Sequence, residues 1–241
     1  MLQPSISGDE LSISALVGSV AEDLKLPLMQ IARKVELGYL EGKSAEETLS
    51  DLDGIASDAL KLMDSYSLGL ELGERQQLLE LEPLSIQAVL YDTAQEMDSM
   101  AKRYGVELEL NTTGARHQLI MANKTGLRAA LLSLGSVFIE STATTSPRPT
   151  ITLAAYKTAQ GIASGIYSQT ADISPGALAL ACRLSGRARQ PLSNYSTGSA
   201  MGIYVANNIL QAMSAKLRTS RFRHQGGLGM VLLPSRQLQL V

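Results

Sequence analysis

The stretch Ser19-Val20-Ala21-Glu22-Asp23-Leu24-Lys25-Leu26-Pro27-Leu28-Met29-Gln30-Ile31 decides how the chain is read. Its apolar positions belong to a longer series, Leu16, Val20, Leu24, Leu28, Ile31 and Val35, which recurs every three or four residues between Leu11 and Leu40 and marks one face of a helix. Pro27 lies inside that series. An interior proline removes a hydrogen bond and costs a helix ~3 kcal/mol, so periodicity on both sides of it implies a kink held by packing rather than a helix end. Taken alone, Glu22 and Asp23 beside Lys25 are the solvated face of an amphipathic helix.

A second helix is expected downstream. Gly42 can take the left-handed conformation of a turn, and Ser44 with Glu47 forms a capping box. The stripe Leu49, Leu52, Ile55, Ala59, Leu62 and Tyr66 then runs to about Gly69. Two such helices joined by a short turn make a hairpin whose apolar faces exceed what one hairpin can bury, and pairing with a second copy into a four-helix bundle resolves this. A homodimer is expected.

Composition sets wider limits. With 241 residues, 45% of them hydrophobic, and a net charge of -2, the chain has enough interior for real cores and no overall pull toward nucleic acid or anionic lipid. The single cysteine, Cys182, excludes an internal disulfide, and two histidines, His117 and His224, are too few for a Cys/His metal cluster, so no metal site is expected. No apolar run reaches the ~20 residues that span a bilayer, so no membrane insertion is expected. The expected location is the cytoplasm.

After a charged segment, Leu70 to Pro83, the periodicities change. Leu84 to Tyr104, Leu127 to Ile139 and Gly202 to Met213 read as helices. Val106 to Leu110, Thr150 to Tyr156, Gly161 to Ser168, Ala215 to Ser220 and Leu228 to Leu233 read as strands. The predicted organisation is α+β: a helical hairpin at residues 1–72, a linker at 73–83, and a sandwich of helices on a mixed sheet at 84–236.

The stretch around Glu22 resembles the phospho-acceptor box of two-component sensor histidine kinases, roughly Ala-Ser-His-Glu-Leu-Arg-Thr-Pro-Leu. In that alignment Glu22 stands at the acceptor position, Asp23, Lys25 and Pro27-Leu28 match their counterparts, and Leu26 replaces the polar residue on which dephosphorylation depends. The second domain is similar to the Bergerat ATP-binding fold of the same kinases. Leu127 to Ile139 resembles the N box, with Val137 at the Mg²⁺-ligating asparagine; valine offers no oxygen to a hard cation. Ser168 to Pro175 resembles Asp-x-Gly-x-Gly-Ile-Ser-Pro, with Ser168 at the adenine-reading aspartate and Thr170 and Asp172 at the glycines. Gly198 to Ile203 resembles the Gly-x-Gly-Leu-Gly-Leu box; Gly198 and Gly202 are kept and Ala200 is not.

The resemblance implies a degenerate relative of histidine kinases or of histidine phosphotransferases, with no catalytic residue and no ATP or Mg²⁺ cofactor. Its expected role is a signalling scaffold that binds a response-regulator receiver domain or a partner kinase through Glu22, Asp23, Lys25, Gln30 and Arg33, taken as exposed positions on the first helix. One alternative is a divergent kinase or phosphotransferase that holds nucleotide through Gly198 and Gly202. Another is the dimerisation module of a larger sensor.

Overall fold

The computed structural model describes residues 8–42, 44–142, 149–171, 173–183 and 200–235, with side chains on the first helix from Leu16 onward. Helix α1 (Gly8–Glu41) continues through Pro27. Gly42 turns the chain at φ +61°, and the Ser44 hydroxyl accepts from the Glu47 N–H to start α2 (Ala45–Arg75). Contrary to the expected end near Gly69, α2 runs six residues further and closes on Gln76 in the left-handed conformation.

The extension has a packing cause. A Cβ built on Gly69 would lie 2.6 Å from Val205 Cγ1, and one on Gly73 2.4 Å from Asn208 Nδ2. Both glycines therefore let α2 approach α6 (Met201–Ala212), and Asn208 Nδ2 donates to the Gly69 carbonyl at 3.2 Å. Tyr66 and Leu72 accordingly share the main core with the second half of the chain.

The former linker contains a strand. β1 (Glu82–Ser85) pairs antiparallel with β3 (Leu119–Ala122), and the Ser85 hydroxyl caps α3 (Ile86–Arg103) by accepting from the Ala88 N–H. Four-residue strands carry too little alternation to be read from sequence; here pairing with a distant partner decides. The main sheet has the order β2-β4-β5-β7-β6, built from β2 (Glu107–Gly114), β4 (Thr150–Thr158), β5 (Gly161–Ser168), β6 (Arg218–Phe222) and β7 (Gln225–Leu232). β2 and β4 run parallel; the other pairs are antiparallel.

Register places Leu153, Ile166 and Leu228 side by side, all fully buried. On them lies a layer containing α3 and α4 (Lys124–Thr142), with α6 against α4. The short α5 (Pro175–Ala181) starts from an N-cap at Ser174 with Pro175 in the first turn, a helix-start signature that the sequence contained.

On the opposite face of the sheet, Tyr156 stacks on Phe222 at 5.5 Å and Arg223 lies over the Phe222 ring at 5.3 Å. β6 forms one edge of the sheet, with Arg218 and Arg221 exposed. Beyond Glu140 the sequence contains one acidic residue, Asp172, against ten lysines and arginines.

The glycine contacts make opposite predictions for two α-helical sites. Gly69→Ala forces Cβ onto Val205 and should destabilise by ~1–3 kcal/mol as overpacking. Gly18→Ala, where nothing lies within 4 Å, should stabilise by up to ~1 kcal/mol from helix propensity. Urea unfolding of the two variants measures both, and the opposite signs are the test.

Candidate functional site

The acceptor-box residues divide between two environments. Glu22 and Lys25 are exposed and lie 3.8 Å apart as an i,i+3 pair; Arg33 is exposed as well. Asp23 and Gln30, expected on the same open face, turn inward instead and are half-buried where the hairpin meets the sandwich. The correction follows from helix geometry: Asp23, Pro27 and Gln30 share a face that packs toward the second domain.

That seam encloses a cleft. Its walls are Pro27, Ile55, Leu62, Met97, Met100 and Leu132, and its polar groups come from four helices. The Tyr66 hydroxyl donates to Asp23 Oδ2 at 2.6 Å, and Gln30 Nε2 donates to the Tyr104 hydroxyl at 2.9 Å. From α4, Glu140 enters beside them. Burial, followed by the Asp23 charge, pushes the Glu140 carboxyl up to about 8. Burial and the charges of Asp23 and Glu140 also raise Tyr66, and burial raises Tyr104. Both phenols are therefore neutral at physiological pH.

Ion pairs hold the same helices in place. Asp58 on α2 accepts from Arg103 and, at 2.7 Å, from the Ser99 hydroxyl, both on α3. Glu96 on α3 pairs with Arg128 on α4 at 2.6 Å. Ile55, read from sequence as part of an intermolecular stripe, is buried within the single chain at 1% exposure and lines this cleft. By contrast, Leu28 and Leu60 are 62% and 66% exposed.

Positions assigned to a lost nucleotide pocket are occupied by packing contacts. Val137 is buried, and a Cβ on Gly202 would lie 2.7 Å from Val137 Cγ2 and 2.4 Å from the Ser133 carbonyl oxygen. Gly202 thus brings α6 directly onto α4. Ser168, also buried, has its hydroxyl 3.1 Å from that of Thr170. Gly198 and Asp172 lie outside the described residues, as does most of the arginine-bearing segment between Leu178 and Ser196.

His117 and His224 are exposed turn residues. Among the described residues no cluster of three metal-ligating side chains occurs, and no helix is long and apolar enough to cross a membrane. Sequence reading missed Glu140 and Tyr66 as partners of Asp23. Glu140 is the last acidic residue before a long basic region, yet only the fold shows what it faces.

No protein-family model matches the chain, and a search of curated proteins gives no match. Solved structures do match. The structure of full-length ShkA in complex with AMPPNP aligns over 95% of this chain and 47% of its own, with 17% identity and a TM-score of 0.55. The Acinetobacter baumannii histidine kinase AdeS aligns over 89% of this chain and 98% of its own, with 14% identity and a TM-score of 0.52. A bacterial phosphotransferase aligns over 95% and 100%, with 11% identity and a TM-score of 0.50. Identities this low speak for architecture, and that architecture agrees with the acceptor-box and N-box resemblances: the chain has the histidine-kinase-like core fold, a helical hairpin carried on an ATPase-type α+β sandwich.

Proposed function

We propose that this protein is a catalytically silent histidine-kinase-like scaffold, located in the cytoplasm, that dimerises through α1 and α2 and binds a response-regulator receiver or a partner kinase. The observation that carries the reading is Glu22, exposed on the hairpin where the resemblance expects a histidine. A carboxylate cannot take a phosphoryl group onto nitrogen and pass it to a receiver aspartate. Val137, buried against Gly202, supports the same reading for the nucleotide site, because it supplies no oxygen for Mg²⁺. Glu22, Lys25 and Arg33 remain exposed for a partner, and Asp23 and Gln30 act behind them by fixing the helix.

One observation favours a rival. The similar structure of ShkA holds AMPPNP, so a divergent kinase that retains nucleotide is the second reading. Calorimetric titration with Mg-ATP separates the two. The scaffold reading expects no saturable heat and no change in melting temperature; micromolar binding would favour the rival, since ligand at 100-fold over Kd stabilises by ~2.7 kcal/mol. Phosphoryl transfer offers a second separation. No acid-labile label should enter the chain from ATP or from a phosphorylated receiver, and label that disappears when both His117 and His224 become Ala would overturn the scaffold.

Dimerisation is testable at exposed positions. Leu60→Asp should give a monomer by light scattering that keeps its helical circular dichroism, because Leu60 is 66% exposed within one chain. Ile55→Asp should instead unfold the seam, since a buried unpaired charge costs several kcal/mol. An unmodified chain that scatters as a monomer contradicts the dimer. Charge reversal at Glu22, Lys25 or Arg33 should weaken partner binding, as complementary charges set orientation and choice.

A further inference from the structure

The helix that carries Glu22 contains a proline where it touches the sandwich. Pro27 has no N–H, so the carbonyl of Asp23, one turn earlier, lacks its helical donor and α1 is weakened at that level. The side chain of Asp23 is anchored there by the Tyr66 hydroxyl. Across the cleft, Glu140 sits in the last turn of α4, which contains no basic residue and ends at the negative pole of the helix.

We propose that Glu140 and Asp23 form a proton-operated latch: a proton held on this half-buried pair keeps the hairpin docked on the sandwich, and its loss releases α1 at Pro27. The cluster sits on two bodies, Asp23 and Tyr66 on the hairpin, Glu140 and Tyr104 on the sandwich side. Two carboxylates that face one half-buried cleft repel, and partial burial weakens the screening by solvent.

The other charged groups lining the cleft have partners. Lys61 and Arg103 both pair with Asp58, and Glu96 pairs with Arg128. Tyr66 and Tyr104 stay neutral, because their phenols are raised. Proton loss from Glu140 therefore adds a negative charge that faces Asp23.

The direction of the pH dependence follows by linkage. Burial and the facing Asp23 charge raise the Glu140 carboxyl from 4.5 to about 8, so the docked state holds its proton more tightly than an open, hydrated state. Docking is fully favoured below the open-state value, weakens as pH rises between the two values, and carries its full penalty above about 8. Physiological pH lies inside that window. The latch stands apart from the scaffold reading and holds whichever partner the hairpin binds.

Spin labels on Ala32→Cys and Gln95→Cys, both exposed, in a Cys182→Ser chain report the separation of α1 from α3. Labelled protein is mixed with excess unlabelled chain, so that only distances within one chain are read. The wild-type separation should lengthen or broaden between pH 6 and pH 9 along a one-proton curve. E140Q should keep the low-pH distance throughout. D23N preserves an acceptor for Tyr66 but removes the facing charge, so its midpoint should move to lower pH. Should E140Q fail to fold, the D23N midpoint decides alone. A wild-type distance independent of pH, an E140Q variant with the wild-type transition, or an unmoved D23N midpoint each overturns the latch.

Discussion

Backbone-level contact around α6 is the constraint on which the rest depends. Gly202 sets α6 against α4, and Gly69 and Gly73 set α2 against α6, so one buried helix joins the hairpin to the sandwich. Replacing any of these hydrogens by a methyl group pushes two helices apart. Close packing of this kind transmits displacement rather than absorbing it, because interiors are as dense as organic crystals. The orientation of the hairpin, and hence of Glu22, is inherited from that contact.

Within this frame α1 faces two ways. Glu22 and Lys25 look outward, while Asp23 and Gln30 look into the seam and meet tyrosines. The outward pair is held only by an exposed ion pair worth little by itself. The inward pair fixes the rotation of α1 about its axis through two hydrogen bonds to half-buried or buried phenols. A helix rotated by one residue would move Glu22 by about 100° and bury it, so the inward residues define what the outward residues present.

How much of this was legible depended on the length scale of the signal. The long apolar periods of α1, α2 and α4 were readable, as were β4 and β5, because each repeats its pattern many times. The four-residue strands β1 and β3 were not, since their partners are more than thirty residues apart in sequence and nothing local specifies the pairing. The end of α2 was misplaced for a different reason: Gly69 and Gly73 look like helix stops but serve as contact surfaces. For the site, Glu22, Lys25 and Arg33 could be placed from sequence. The inward turn of Asp23 could not, because its partners Tyr66 and Glu140 lie 43 and 117 positions away.

The basic edge strand β6 bears on how copies of this protein can assemble. Arg218 and Arg221 are exposed on this edge strand, where another strand would add, and like charges meeting there oppose edge-to-edge growth. The exposed apolar residues Leu28 and Leu60 lie instead on the helices. Sheet extension, which propagates without limit, is thereby disfavoured at this edge.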